Sequence, residues 1–364
     1  MIVKPTLLLD EAKCRKNIAL MFAKAKRHDI ELRPHFKTHQ SLKIGSWFKE
    51  AGVRMITVSS VSMADYFSAE FDDITIAFPT NVLEIDKINE LARLIKLNLC
   101  IENEEALVYL SEKLSHEVQI FLKMDVGYHR TGIDPVDRSL IDQLLHIMEH
   151  SPLLTFIGFL GHAGHSYNCV GEKAVNNVHQ HALQVMDELK SSYSERYPDL
   201  CISLGDTPSC SITEDFTGVD EIRPGNFVFY DLTQHKIGSN DIDQIAVVLA
   251  CPIVAKHKDR SEIVVYGGGV HLSKDRLHDK VGVIYGRPVE RTESGWRGAI
   301  AGAFVSSISQ EHGIVTIPTG LMEQYNIGDL LYILPVHSCM TADLMKEYLT
   351  LKGERITMMN TKNA

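Results

Sequence analysis

Close to the N-terminus, Arg33-Pro34-His35-Phe36-Lys37-Thr38-His39 sets one lysine among two histidines and an arginine. Neighbouring cations and burial both lower a lysine's pKa, which makes the Lys37 amine a usable nucleophile or base. The plain alternative is a surface lysine in a loop. In Asp125-Val126-Gly127-Tyr128-His129-Arg130-Thr131-Gly132, two glycines permit a tight loop that holds Arg130 between them. A salt-bridged loop arginine is the plain alternative there. A third stretch, Gly158-Phe159-Leu160-Gly161-His162-Ala163-Gly164-His165-Ser166-Tyr167, places two histidines among glycines after an apolar run. A polar, glycine-rich cluster at a strand end points to function, and the HxxH spacing also fits a metal pair.

Two later loops belong together. Ser203-Leu204-Gly205-Asp206-Thr207-Pro208-Ser209 and Arg223-Pro224-Gly225-Asn226 offer backbone N–H groups, small residues and hydroxyls. Such turns form anion-binding concavities, and the pair points to a phosphate-bearing ligand. Further on, Pro335-Val336-His337-Ser338-Cys339 puts an imidazole and a thiol on the same side of an expected extended segment. Imidazole plus thiolate suits zinc, and two protein ligands leave coordination positions open, as a catalytic site requires. A buried cysteine beside an ordinary histidine is the plain alternative. Tyr266-Gly267-Gly268-Gly269-Val270-His271-Leu272-Ser273-Lys274-Asp275 is a glycine-rich turn without the Gly-Lys-Ser/Thr of a nucleotide loop.

Something must hold these loops in register. From residue 6 to about 235, short β-rich runs alternate with apolar residues at helical spacing, such as Cys14, Ile18, Met21, Phe22 and Ala25. Strands alternating with helices require a parallel sheet with crossover connections. About eight such units fit a closed (β/α)8 barrel, whose chemistry sits at the C-terminal strand ends. An open doubly wound sheet is the alternative, but no GxGxxG turn follows the first strand. After about residue 240 the runs are β-like, with glycine and proline turns between them, so a smaller, mostly antiparallel β domain is expected. Glu354 to Ala364 reads as a frayed polar tail.

Composition narrows the class. The 364 residues carry a net charge of −10, which argues against a general nucleic-acid binder. No apolar run is long enough to span a bilayer, and the N-terminus lacks a secretory pattern. The seven cysteines are scattered without a CxxC pair, as in a reduced cytoplasmic protein.

Taken in order, the motifs resemble the fold-type III enzymes that use pyridoxal 5′-phosphate (PLP), and most closely the D-threonine aldolase and D-serine dehydratase family. The likeness runs from Thr6-Leu7-Leu8-Leu9-Asp10 to His337-Ser338-Cys339. Its most specific pieces are Pro34-His35-Phe36-Lys37-Thr38-His39 and the distant HxC. The resemblance implies a PLP-binding, alanine-racemase-like barrel at residues 11–238. It also implies a metal-bearing β domain at residues 239–364, joined by residues 1–10. It makes Lys37 the residue that holds PLP covalently and puts Arg130 near the cofactor phenolate oxygen. With His35 beside the lysine, these form the expected catalytic set. His162 packs near the ring, with Tyr167 in the same cofactor site. Thr207, Ser209, Gly225 and Asn226 grip the phosphate. Arg223 stands where alanine racemases place an arginine on the pyridine nitrogen. His337 and Cys339 match zinc ligands, with Mn2+ or another divalent ion as the alternative. A head-to-tail homodimer is implied, each active site completed by the partner's β domain. Where family dehydratases tend to carry an aspartate-containing turn, this chain has Tyr266-Gly267-Gly268-Gly269-Val270-His271, which leaves the substrate side chain open.

The reaction so implied is β-elimination from a D-3-hydroxyamino acid, as in D-serine dehydratase, giving a keto acid and ammonia. A D-threonine aldolase, cleaving Cα–Cβ, would use the same parts. A racemase, a non-catalytic PLP carrier and a metallohydrolase built on His162 and His165 are further readings. The last leaves Lys37 and the phosphate loops unexplained.

Overall fold

The structure, a computed structural model, describes residues 1–359. The described chain forms two compact units, one of residues 19–225, the other of residues 1–18 with residues 226–359.

The first strand, β1 (Thr6–Leu9), belongs to the second unit. The first unit is built on β2 (Glu31–Leu32), β3 (Met55–Val58), β4 (Asp73–Pro79), β5 (Lys96–Ile101), β6 (Val118–Met124), β7 (Leu154–Gly161), β8 (Cys201–Leu204) and β9 (Glu221–Ile222). These form one parallel eight-stranded sheet in the order β2-β9-β8-β7-β6-β5-β4-β3. The two ends of that order meet just beyond β2. His35 bridges Thr57 in parallel, and Thr57 N donates to Pro34 O at 2.9 Å. The sheet is therefore a nearly closed (β/α)8 barrel, as the alternation of strands and helices predicts.

Helices begin where a short polar side chain follows a strand. Ser60 caps Val61–Phe67 by accepting from Met63 N at 3.1 Å, and Asn103 caps Glu104–Lys113 by accepting from Ala106 N at 2.9 Å. Strand interiors are apolar and buried, for example Ile74, Ile76, Leu97, Leu99, Ile120 and Leu122.

One buried polar layer breaks this core. Arg33 Nε donates to Glu221 at 2.7 Å and Arg33 Nη1 to Asp73 at 2.5 Å, while Asn98 also donates to Asp73 at 2.9 Å. Arg33 is thus committed to ion pairs inside the barrel instead of surrounding Lys37.

The second unit adds β10 (Val247–His257), β11 (Glu262–Tyr266), β12 (Leu277–Asp279), β13 (Gly282–Ile284), β14 (Gly286–Thr292), β15 (Gly295–Ala299), β16 (Phe304–Ile308), β17 (His312–Thr316), β18 (Leu330–Pro335), β19 (Glu347–Thr350) and β20 (Arg355–Thr357). Its main sheet runs β15-β14-β18-β10-β1-β19-β20, and the long β10 also carries β11, β17 and β16. Pairing is antiparallel except between β1 and β19. The expected frayed tail is instead partly a strand: Tyr348 pairs with Ile356, which is buried. The rest of that tail, residues 360–364, lies outside the described residues. Among the described residues no helix is long and apolar enough to cross a membrane.

Candidate active site and metal-ligand pair

Lys37 lies in a short 3-10 turn, Phe36–Thr38, directly after β2, and its side chain is exposed at the barrel mouth. His35 caps this turn, its Nδ1 accepting from Lys37 N at 3.4 Å. His39, expected beside the lysine, is buried instead. It packs edge-on to Phe36 at 4.4 Å and stacks on Phe48 at 5.6 Å, and its Nδ1 accepts from Ser41 N. Burial pulls its pKa down to about 3.

Lys37 acts electrostatically on His35, its neighbour in the turn, and on His162 just past β7. Burial, then Lys37 and Arg223, then His162, hold His35 well below the ordinary histidine range. Burial, with Lys37, Arg223 and Lys123 adding to it, pulls His162 down to about 3, although its bond to Gly205 opposes this. In that bond His162 Nδ1–H donates to Gly205 O at 3.1 Å, which leaves Nε2 as the bare acceptor.

Arg223, just past β9, is buried. Its Nε donates to Ser203 Oγ at 2.6 Å, and Nη2 donates to the carbonyls of Gly161 and Ser203. Ser203 in turn donates to Glu221 at 2.6 Å, which ties Arg223 to the polar layer below.

Lys123 on β6 was not among the sequence candidates. It is buried, and burial lowers its pKa, with Arg223 and Arg130 adding to the effect and Cys100 opposing it. A lysine inside the apolar run Val118–Met124 was the available signal. Lys37, Lys123, Arg130 and Arg223 therefore act on a shared region, a cationic setting suited to a multiply charged anion.

The Arg130 loop is tight as expected. Asp125 Oδ1 accepts from the backbone N–H of Gly127, Tyr128 and His129, each at 3.0 Å. Gly132 has φ +117°, and a Cβ there would sit 2.5 Å from Asp125 N. Arg130 is exposed and lies over the Tyr128 ring at 4.9 Å. His165 stacks on that same ring and His162 meets it edge-on, while His162 Nδ1 is taken up by Gly205 O. Tyr167 is half-buried in the turn Gly164–Asn168.

The two loops read as phosphate-binding come together. Gly225 N donates to Thr207 Oγ at 3.3 Å, and both residues are buried. Gly205, at φ +149°, lets the first loop lie against the second: a Cβ there would be 2.8 Å from Arg223 N. Among the described residues the buried Ser209 hydroxyl makes no well-formed hydrogen bond, although it interacts with the Asp206 carboxylate, and it is a donor of the kind a phosphate oxygen would take up. The donor set therefore fits a phosphorylated cofactor such as PLP. The Asn226 side chain, expected on the phosphate, donates to Asp231 at 2.7 Å and to Ser338 at 3.0 Å.

In the second unit, His337 and Cys339 do not lie in an extended segment. His337 is the N-cap of the helix Ser338–Met345, and Cys339 sits in its first turn. The helical start still brings imidazole and sulfur into hydrogen-bond contact. His337 Nδ1 lies 2.9 Å from Asp275 Oδ2, a partner the sequence reading missed. Burial alone would lower the His337 pKa, but the bonds to Asp275 and Cys339 push it up to about 11. Among the described residues, no group of three or more His, Cys, Asp or Glu is arranged to hold a metal. Soft sulfur, imidazole and a carboxylate behind the imidazole match a two-ligand divalent site, in which the metal would replace the shared proton.

Residues 9–232 match the alanine racemase N-terminal domain family, and residues 246–351 match the putative serine dehydratase domain. The chain is 30% identical to a D-serine dehydratase of Dictyostelium discoideum, covering 96% of this chain and 93% of that protein. The chain belongs to this family. Its members are fold-type III enzymes that use PLP. It is also 25% identical to a D-threo-3-hydroxyaspartate dehydratase of Delftia sp. over 96% of this chain and 94% of the relative. A solved structure of a D-threo-3-hydroxyaspartate dehydratase, a cysteine-to-alanine variant in the metal-free form, shares the fold. Its TM-score is 0.91 at 23% identity, covering 99% of this chain and 98% of that one.

Proposed function

We propose that this protein is a PLP-dependent lyase acting on a D-3-hydroxyamino acid, most simply a D-serine dehydratase. The observation that carries the reading is the set of basic groups gathered around Lys37 at the barrel mouth, in a chain that matches a D-serine dehydratase along nearly its whole length. In this reading residues 11–238 form the cofactor-binding part. Residues 239–364 with 1–10 form the metal-bearing part, and the protein is a cytoplasmic homodimer.

Bound PLP supplies an electron sink at Cα, and a divalent ion, zinc or manganese, on His337 and Cys339 supplies a Lewis acid for departure of the β-hydroxyl. The protein's own groups do the rest. Lys37 would hold the cofactor, and its free amine would take the Cα proton, with His35 keeping its turn in place. Thr207, Ser209, Gly225 and Asn226 form the phosphate turn, where Gly225 and Asn226 contribute backbone. Arg130 would stand on the cofactor's phenolate side, and Tyr167 would line its pocket. Burial keeps His162 neutral, its pKa pulled down to about 3, so it would pack against the cofactor ring without adding charge. Arg223, always protonated, donates and cannot accept a proton.

The test is to incubate the purified protein with D-serine, D-threonine and D-threo-3-hydroxyaspartate. Keto acid, glycine plus aldehyde, and the L-isomer are assayed in parallel, with and without a chelator. Keto acid and ammonia that disappear on chelation and return with Zn2+ or Mn2+ support the dehydratase. Glycine plus aldehyde would make the protein an aldolase, and L-isomer alone a racemase. Sedimentation of the same sample reads the dimer.

A further inference from the structure

Asn226 closes the Arg223-Pro224-Gly225-Asn226 turn, and its side chain is buried. Its Nδ2 lies 2.7 Å from Asp231 Oδ2, 3.0 Å from Ser338 Oγ and 3.3 Å from Cys339 Sγ. The opposite amide orientation would set Oδ1 against a carboxylate and a sulfur, so the donor end must face them. Among the described residues Oδ1 itself is buried without a hydrogen-bond partner. The fold bears that cost while its two N–H hydrogens are shared among the three acceptors Asp231 Oδ2, Ser338 Oγ and Cys339 Sγ.

Asp231 is held from several directions. Its Oδ1 caps Leu232–Ile237 by accepting from Gln234 N at 2.9 Å, and Oδ2 accepts from Ser338 N at 3.0 Å and from Ser338 Oγ at 3.3 Å. The carboxylate thus clamps the first turn of Ser338–Met345 and the Asn226 amide together.

We infer that Asn226 is a positioning residue for the Cys339 sulfur. Its amide fixes the direction of the thiolate and donates a hydrogen bond to it, while Asp275 orients His337 by accepting from its Nδ1–H. The inference rests on reading His337 and Cys339 as metal ligands. It moves the Asn226 side chain from the cofactor phosphate, where the motif had suggested it, to the metal pair. Groups that orient metal ligands in this way typically alter metal affinity about 10–100-fold when removed.

The PLP-loaded protein, depleted of metal by dialysis, is titrated with Co2+ and followed by its sulfur-to-metal absorbance. Zn2+ affinity is then read by competition with a chromophoric chelator, and PLP content is measured on the same samples. Wild type should bind the metal with a sulfur-derived band. Asn226→Ala should weaken Zn2+ binding about 10–100-fold and shift that band while PLP content holds. Asn226→Asp, which opposes Asp231 and the thiolate with a third negative group, should lose more. Asn226→Ser keeps a short donor and should lose less, so the ranking survives if one variant misfolds. Unchanged Zn2+ affinity with an unshifted band, or loss of PLP with metal binding intact, would overturn the inference alone. Failure of wild type to bind metal would overturn the metal-site reading and the inference with it.

Discussion

His337 Nδ1 lies 2.9 Å from Asp275 Oδ2, although 62 positions separate the two residues. The contact fixes the imidazole's rotation and the site of its Nδ1 proton, which leaves its other nitrogen to face the sulfur or a metal. Asp275→Asn keeps the shape but removes the charge. Equilibrium dialysis should show Zn2+ affinity reduced about 10–100-fold while the visible spectrum of bound PLP stays as in wild type. Equal affinity in both proteins would remove Asp275 from the site.

Lys37 should be indispensable for both colour and turnover. The wild-type protein should show the visible absorbance of covalently held PLP, and Lys37→Ala should lose it. Turnover should fall at least about 10²–10⁴-fold, the usual contribution of a positioned acid or base. A wild-type protein that stays colourless after PLP is added would defeat the assignment, as would an active Lys37→Ala.

Thr207 and Ser209 should matter together. Hydrogen bonds to a charged group contribute about 1.5–3 kcal/mol each. The double variant Thr207→Ala, Ser209→Ala should therefore release PLP at least about tenfold more readily, measured as residual cofactor after dialysis at set concentrations. Retention equal to wild type would mean that the phosphate sits elsewhere.

Acid should destabilise the protein through its buried histidines. His39 titrates near pH 3 in the folded chain, because burial disfavours its charged form, and near 6.5 when unfolded. Between those values the unfolded chain binds the proton and the native one does not, so stability is lost as pH falls through that window. His162, also near 3, acts in the same direction. Melting temperature should drop steadily from pH 7 to pH 4. His39→Phe should flatten that slope, while lowering the melting temperature at pH 7 by a few degrees because Ser41 N loses its acceptor. A slope identical to wild type would show that His39 is not a source of the acid sensitivity.

Much of the fold could be read from the chain because period and order are local properties. Strand runs such as Val118–Met124 and the helical faces between them set the (β/α) alternation. The motifs after β2, β6, β7, β8 and β9 were legible because barrel chemistry gathers at C-terminal strand ends. Lys123 is not legible as a site residue because a strand's two faces look alike until the sheet closes and assigns one to the interior. Arg33 and His39 are neighbours of Lys37 in sequence, yet the backbone after β2 turns them towards ion pairs and an aromatic cluster.

The residue types and their order along the chain determined that a lysine, two phosphate-type turns and an HxC pair would be displayed on a barrel and a β domain. Which side chains would meet was decided only in three dimensions. Arg33 finds Glu221 across 188 positions, and Asn226 finds Cys339 across 113. Contacts of that reach depend on barrel closure and on the helix that starts at Ser338. Local sequence patterns report the period of an element and not the direction in which its ends are aimed.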